Sequence, residues 1–327
     1  MYSIWTTTYC NLKCTYCYEG QEKNRIYMDR KTADQVIEFI KNDFDDEELI
    51  INFHGGEPFL NFEIIRYMVE KIEQQFSDTV IQFTATTNAT VLTDEIVDFI
   101  TYHHFGLTVS IDVTKQSHNH TRKYQNGKGT YEIVRKTVEK LLSKDRSLRI
   151  RMTITPDNVR ELYENVLNIV ALGLTTIVPA IDSYDNRWSE EDFDVLKEKI
   201  GKLRNMLTKD ITLSLFEPLT YCGQFCTGGY VSKHIYCNGD IYPCGVSCGD
   251  DEFKIGDIYI GIDKQKLDTL YEYGYEECKD CRGCDLKMYC EATRCKILNK
   301  IKTGSFVTPS AVDCNFTNVL YELNGVE

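Results

Sequence analysis

The chain has 327 residues, 42% of them apolar and 27% charged, with a formal net charge of −13. That length predicts a large core and more than one domain, while the acidic balance argues against a nucleic-acid binder, which needs a basic face, but not against a small or peptidic substrate. No apolar run reaches 18 residues, and MYSIWTTTYC lacks the basic and apolar regions of a signal peptide, so no spanning helix or membrane attachment is expected and the chain is placed in the cytoplasm.

From the start, strand-like and helix-like stretches alternate. The expected strands are YSIWTTTY, LIINFHG, TVIQFTATTN, GLTVSID, LRIRMTITP and GLTTIVPAI. They read as mostly continuous apolar runs, the pattern of a parallel sheet covered by helices. In the first helix Ala33, Val36, Ile37 and Ile40 follow the i, i+3, i+4, i+7 spacing, and Asp29 is placed to cap it. NFEIIRYMVEKIEQQF, TDEIVDFITYHH, YEIVRKTVEKLL and NVRELYENVLNIVALG repeat the theme. Six such units predict an α/β fold, an open or partial barrel over 1–187. A helix, SEEDFDVLKEKIGKLRNML, lies in a bridge over 188–221 and leads to a tail over 222–327. In the tail, Asn238-Gly239 between β-rich flanks predicts a hairpin.

Cysteine placement divides the chain further. Of fourteen cysteines, three lie between 10 and 17, none from 18 to 221, and eleven from 222 to 314. Cytoplasmic thiols stay reduced, so such clusters point to metal rather than disulfides. A tail with little apolar core would then need metal centres to fold. Cys10, Cys14 and Cys17 stand in a C-x3-C-x2-C spacing. Three thiolates on one loop can hold three irons of a [4Fe–4S] cube and leave the fourth open, as a catalytic metal needs. The competing reading is a zinc site completed by a distant His or Cys.

With these features the sequence resembles the radical S-adenosylmethionine (SAM) family. Its signature is C-x3-C-x2-C after the first strand of a partial (β/α)6 TIM barrel, often with an aromatic residue before the third cysteine, here Tyr16. The resemblance implies a cluster whose open iron binds SAM, and reductive cleavage of SAM to a 5′-deoxyadenosyl radical. Gly55, Gly56, Glu57 and Pro58 look like the GGEP motif that receives the SAM amino group. Two glycines permit close backbone approach to the ligand, and Glu57 adds an acceptor for an ammonium. Asn88 resembles the Asn of a ribose-binding TNG turn, with Ala89 in place of the usual Gly. Ser110 and Arg122 resemble a pair that holds the SAM carboxylate, and IVPAI falls where the sixth strand passes the adenine. Singly these are ordinary turns, strand ends and surface residues. In order, at successive strand ends, they point to one site.

The tail resembles the SPASM extension of some radical SAM enzymes. Cys226, Gly239 and Cys244 fit its C-x9–15-G-x4-C element. Cys281, Cys284 and Cys290 fit the C-x2-C-x5-C element, and Cys295 follows one residue late. The resemblance implies two auxiliary [4Fe–4S] clusters, three in all. One would be held by Cys222, Cys226, Cys244 and Cys295, the other by Cys281, Cys284, Cys290 and Cys314. Cys237, Cys248 and Cys278 are left over, as buried thiols or as a replacement ligand. A zinc ribbon has similar spacings.

Enzymes resembling this combination mostly act on peptides. The implied function is therefore an oxidoreductase that matures a ribosomally made precursor peptide by a thioether, carbon–carbon or ether cross-link. The implied reductant is a flavodoxin or ferredoxin, and oxygen sensitivity is expected. Formylglycine formation, as in anaerobic sulfatase maturases, is the alternative. Those enzymes carry an Asp directly after the cysteine of the G-x4-C element, where this chain has Gly245, with Asp250 and Asp251 only nearby. A non-catalytic iron–sulfur or zinc scaffold is the third reading. No general base is assigned. The chain starts on the first barrel strand, so leader recognition is expected to use the barrel mouth, the tail or a separate protein.

Overall fold

A computed structural model describes residues 1–20, 25–112, 114–144 and 147–327. In chain order the main elements are β1 (Tyr2–Thr7), α1 (Arg30–Asp43), β2 (Glu48–Gly55), α2 (Phe62–Gln75), β3 (Val80–Thr87), α3 (Asp94–Tyr102), β4 (Gly106–Ser110), α4 (Lys115–Thr121) and α5 (Tyr131–Ser143). They continue as β5 (Leu148–Ile154), α6 (Leu162–Ala171), β6 (Thr176–Ile181), α7 (Glu190–Met206) and β7 (Thr212–Leu213). The remainder holds β8 (Lys233–Ile235), β9 (Asp240–Tyr242), β10 (Gly256–Asp257), β11 (Gly261–Ile262), α8 (Lys264–Glu272), α9 (Glu291–Arg294), α10 (Lys296–Thr303) and α11 (Ala311–Asn324). All six expected strands form. No described helix is long and apolar enough to cross a membrane.

The chain divides into two compact units. The first comprises Met1–Ile111, Asn119–Leu148 and Thr227–Leu267, the second Asp112–His118, Arg149–Cys226 and Asp268–Glu327. In the first, β8, β1, β2, β3 and β4 pair in parallel in that order, and β9 to β11 extend the sheet antiparallel from β8. The β8–β9 hairpin turns at Asn238-Gly239 as expected, with Gly239 at φ 92° and the Tyr236 amide donating to the Asp240 carbonyl (2.8 Å). Asp43 fastens this hairpin to β1 by accepting from the Tyr2 hydroxyl and the Lys233 ammonium, both at 2.6 Å. In α1, Asp29 caps the Thr32 amide (2.7 Å) and Ala33, Val36, Ile37 and Ile40 are buried. In the second unit β5, β6 and β7 pair in parallel, and α7 opens with a capping box between Ser189 and Asp192.

One expectation is corrected. The strands are not apolar on both faces: burial alternates along β2, β3 and β5. Successive side chains point to opposite faces, so one face of the first unit's sheet carries Ile4, Ile51, Phe53, Phe83, Ala85, Leu107 and Val109, all buried. Phe53, Phe83 and Phe105 stack there at 5.5–6.3 Å. The register puts Ser3 beside Asn52 and His234, Asn52 beside Thr84, and Trp5 beside His54 on the opposite face. There Asn52 donates to Ser3 (2.7 Å) and Thr84 to Asn52 (3.1 Å). Thr, Asn and His among β-branched residues look apolar when a strand is scanned as a run. Only the period of two separates the faces.

Candidate active site

The loop after β1 is held from several sides within the first unit. The Lys13 and Thr15 amides donate to the carbonyls of Lys123 (2.7 Å) and Thr121 (3.0 Å), and the Gln125 amide side chain donates to the carbonyls of Cys10 (3.2 Å) and Leu12 (3.0 Å). Leu12 is buried as the anchor. The Cys17 amide donates to the Cys14 carbonyl (3.3 Å), closing a turn between the second and third cysteines. The Cys10 sulfur accepts from the Leu12 amide (3.4 Å) and the Asn88 side chain (3.6 Å). These donors favour a thiolate, while burial, then the nearby Glu57 carboxyl, pushes the Cys10 thiol well above its ordinary range. A cation coordinated at the sulfur is what resolves that conflict, so this donor set fits an iron ligand.

The GGEP segment packs against this loop. The Gly56 amide donates to the Thr7 carbonyl (3.1 Å) and the Glu57 amide to the Tyr9 carbonyl (2.9 Å). A Cβ at Gly55 would lie 2.3 Å from the Thr7 carbonyl oxygen, and one at Gly56 2.4 Å from that of Tyr9. The two glycines thus admit the backbone of the cysteine loop. Pro58 is buried at the start of a short helical turn. The Glu57 side chain is also sealed, its carboxylate accepting from the Thr87 hydroxyl (2.8 Å), the Asn88 amide (2.7 Å) and the Phe59 amide (3.4 Å). Burial raises it to about 7 against the pull of those donors.

Asn88 ties the end of β3 to the cysteine loop, donating to Asn11 (3.0 Å) as well as to Cys10, while its oxygen accepts from the Thr90 amide (3.0 Å) and hydroxyl (2.7 Å). Ala89 takes the left-handed conformation, φ 58°, that a glycine would adopt freely. An alanine there stores roughly 1–3 kcal/mol of strain, and the buried turn holds it with a bond from the Ala89 amide to the Thr87 hydroxyl (2.9 Å). Ser110 ends β4 half-buried. Arg122 is buried, its guanidinium 5.1 Å from the centroid of the Tyr16 ring. The structure therefore brings together Cys10, Glu57 and Asn88, and separately Tyr16 and Arg122.

Sequence reasoning missed a polar group on the Asn52 face of the first unit's sheet. The Trp5 ring lies 5.4 Å from the His54 ring and 5.4 Å from that of Tyr236. Trp5 Nε1, His54 Nδ1 and His234 Nδ1 are buried with no hydrogen-bond partner in the protein. Burial holds both imidazoles down to about 4, against an ordinary 6.5, and His54 adds to the effect on His234. The strand alternation could have found them, since His54 immediately precedes Gly55 on the face of Asn52. Below about 6.5 the unfolded chain takes up protons that the fold refuses down to about 4. Stability from the pair is therefore complete above pH 6.5 and is lost as pH falls toward 4. Denaturant unfolding should show a loss on the order of 2 kcal/mol per histidine between pH 6.5 and 5. A slope in the His54→Gln, His234→Gln double variant as steep as wild type would refute this.

In the second unit Cys281, Cys284, Cys290 and Cys314 line one cavity of about 250 Å³. The segment is wound in short turns, with the Cys281 amide on the Cys278 carbonyl (3.2 Å) and the Cys284 amide on that of Cys281 (3.1 Å). Cys290 meets the Thr317 hydroxyl at 3.5 Å. Burial, then a hydrogen bond with Cys278, pushes Cys281 up to about 12. Cys278 is buried and lies outside this cavity's lining. Lys296 is buried nearby, donating to the Thr293 carbonyl (2.6 Å); burial lowers its pKa while Cys226, Cys278 and Cys281 oppose the shift. Cys222 and Cys226 are half-buried, the Cys222 amide bonded to the Met288 carbonyl (3.0 Å). Cys295 caps α10. In the first unit Cys244 and Cys248 share a turn, the Cys248 thiol donating to the Cys244 carbonyl (3.5 Å), and Cys237 is a buried thiol.

Among the described residues no three His, Cys, Asp or Glu side chains converge where a single ion would bind. A cube asks for a different arrangement: each cysteine holds its own iron, so the sulfurs surround a space instead of meeting at a point. Four cysteines lining one cavity fit that arrangement.

A parallel α/β sheet with a cysteine loop leaving its first strand, braced by a Gly-Gly-Glu-Pro segment leaving its second, defines a class of iron–sulfur enzyme that works on SAM. The chain belongs to the radical SAM superfamily, whose family model matches residues 4–165. It is 31% identical over 204 residues to the uncharacterized protein MJ0907 of Methanocaldococcus jannaschii, covering 60% of this chain and 69% of that one. It is 22% identical to a cysteine-type anaerobic sulfatase-maturating enzyme of Clostridium novyi (76% and 73% covered) and 23% identical to the sporulation killing factor maturation protein SkfB of Bacillus subtilis (92% and 69%). Two solved structures share the fold. Native anSMEcpe with bound AdoMet superposes with a TM-score of 0.84 at 18% identity over 99% of this chain and 97% of that one. Streptococcus suis SuiB bound to precursor peptide SuiA gives 0.70 at 19% over 95% and 75%.

Proposed function

We propose that this radical SAM enzyme is a peptide maturase that introduces an oxidative cross-link, a thioether, carbon–carbon or ether bond, into a precursor peptide. The observation that carries the reading is the four-cysteine cavity of the second unit, present in addition to the three-cysteine loop. A cluster held by four protein thiolates has no open iron, so it suits electron transfer. A cross-link that removes two hydrogens needs an acceptor for its second electron. The names of SkfB and of the SuiB complex support a peptide substrate.

On this reading the chain combines the partial (β/α)6 barrel with a SPASM tail and holds three [4Fe–4S] clusters. Cys10, Cys14 and Cys17 hold one, Cys281, Cys284, Cys290 and Cys314 another, and the remaining ligands of the tail a third. When bound, the loop's cluster and SAM supply the reductive cleavage whose 5′-deoxyadenosyl radical takes a hydrogen atom from a peptide carbon. The chain's own residues bind and orient. Arg122, set on the Tyr16 ring, offers the SAM carboxylate a permanent cation, with Ser110 as its proposed partner. Gly55, Gly56 and Pro58 bring strand-end backbone to the SAM amino group. Glu57 and Asn88 hold the cysteine loop in register with the end of β3. A flavodoxin or ferredoxin is the proposed electron donor.

Formylglycine formation is the second reading, favoured by the fold shared with anSMEcpe. Gly245 counts against it, since nothing at that position can move a proton. The two separate by product. Co-expression with a candidate precursor peptide should yield a product lighter by two hydrogens that does not react with hydrazides and that, where the bond is a thioether, has lost an alkylatable thiol. A hydrazide-reactive aldehyde would move the assignment to the second reading, and an unmodified peptide with every candidate precursor would refute the first.

A further inference from the structure

The polar group around Trp5 does nothing for the fold that hydrogen bonding can explain. Buried polar atoms without partners cost stability, and each calls for an account. Three of them, Trp5 Nε1, His54 Nδ1 and His234 Nδ1, belong to side chains from three adjacent parallel strands on one face of one sheet. Trp5 and His54 lie next to the strand ends from which the cysteine loop and the GGEP segment leave, and His234 lies on β8 level with Ser3 and Asn52. The surroundings are aromatic: the Trp5 ring packs against those of His54 and Tyr236. Gly245 lies beside the His234 ring, where an added Cβ would make ordinary contact at 3.5–3.6 Å.

The donor set defines what fits. An indole N–H only donates, so the ligand must present an acceptor. Each partnerless Nδ1 of a neutral imidazole donates or accepts according to its tautomer, so the two rings together can offer the ligand a donor and an acceptor. With both imidazoles held neutral and no cation among these groups, a carboxylate would be desolvated without a counter-charge. The same neutrality makes either histidine a poor proton acceptor near pH 7. A group that is uncharged, flat, and both donor and acceptor is an amide.

We propose that Trp5, His54 and His234 form a substrate subsite that hydrogen-bonds one uncharged amide group, from a peptide backbone or from an Asn or Gln side chain. The peptide identity of the ligand rests on the function proposed above; the binding of an amide does not.

The test reads Trp5 directly. Trp188 is the second of two tryptophans, so the reconstituted Trp188→Phe holoenzyme reports Trp5 alone through the indole N–H bending band in ultraviolet resonance Raman. Titration with N-methylacetamide, a backbone mimic, and with acetamide, a side-chain mimic, should shift the band saturably toward its hydrogen-bonded position. His54→Leu and His234→Leu should each raise the apparent Kd about tenfold, the loss of one hydrogen bond. Tighter binding of the first probe assigns a backbone amide, and of the second a side-chain amide. A band that neither probe moves overturns the proposal, as does an affinity in both Leu variants equal to that of their His-containing parent. The wild-type shift decides even where a variant fails to fold, and no turnover is needed, so a failed maturase assignment leaves this result readable.

Discussion

Gly56→Ala is expected to be among the most damaging single substitutions in the chain. The new Cβ would sit 2.4 Å from the Tyr9 carbonyl oxygen, 2.5 Å from its carbon and 2.6 Å from the Thr8 carbonyl oxygen. All three are backbone atoms, which cannot swing aside as a side chain can. The alternatives are to break the bonds from Gly56 and Glu57 to Thr7 and Tyr9, or to push the segment that leads into Cys10 away from β2. Either displaces a ligand of the proposed SAM cluster. We expect a loss of more than about 4 kcal/mol, in the range reserved for backbone and core catastrophes, together with loss of the loop's iron. Gly201→Ala is the control. It lies within α7 with nothing within 4 Å of its added Cβ, and should stabilise the protein by up to about 1 kcal/mol. Chemical unfolding and iron analysis of both variants decide the matter. A Gly56→Ala protein with wild-type stability and iron would show that the GGEP segment does not brace the cysteine loop.

The second large effect belongs to the cavity. Cys290 is buried, lines the space with Cys281, Cys284 and Cys314, and meets the Thr317 hydroxyl. Cys290→Ala should remove one cube's worth of iron and abolish peptide product, while SAM cleavage at the three-cysteine loop persists. Cys237→Ala removes a thiol that is equally buried but lies outside the proposed ligand sets, and should keep its full iron. Loss of iron from both variants alike would mean that general unfolding, not ligation, is being read. Full iron in Cys290→Ala would remove the cavity's cluster from the account.

How much of this was legible beforehand differs by element. The β1 to β6 strands and the Asp29 cap followed from periodicity and one side chain, because both signals are local. The Asn238-Gly239 hairpin was legible for the same reason. The two faces of the sheet were not, because Thr, Asn and His inside strands were scanned as parts of apolar runs. That error hid Trp5, His54 and His234, whose shared face emerges only when the strands are set in register. Glu57 shows the limit of motif reading. The sequence marked it as an important acceptor, yet the donors it meets are Thr87, Asn88 and Phe59, thirty or so positions away for the first two, and no spacing rule specifies them. Lys296 escaped notice altogether: as one lysine in a helix of several, nothing in the sequence distinguishes it as the buried one.

The resemblance to the SPASM extension grouped Cys281, Cys284, Cys290 and Cys314, and these do line a common space although twenty-three residues separate the third from the last. Spacing alone joins the first three, which recur on one short segment, but not the last, which comes from a remote one. It was less informative for Cys278, whose place in the C-x2-C-x2-C run made it a rival ligand. Its neighbour Cys281 faces the cavity, and Cys278 itself does not line it.

The most direct test of the account is SAM cleavage under anaerobic conditions. Reconstituted protein mixed with dithionite and SAM should release 5′-deoxyadenosine and methionine, and the Cys10→Ala, Cys14→Ala, Cys17→Ala triple variant should release neither. Wild-type protein with a full complement of iron that forms no 5′-deoxyadenosine would contradict the account.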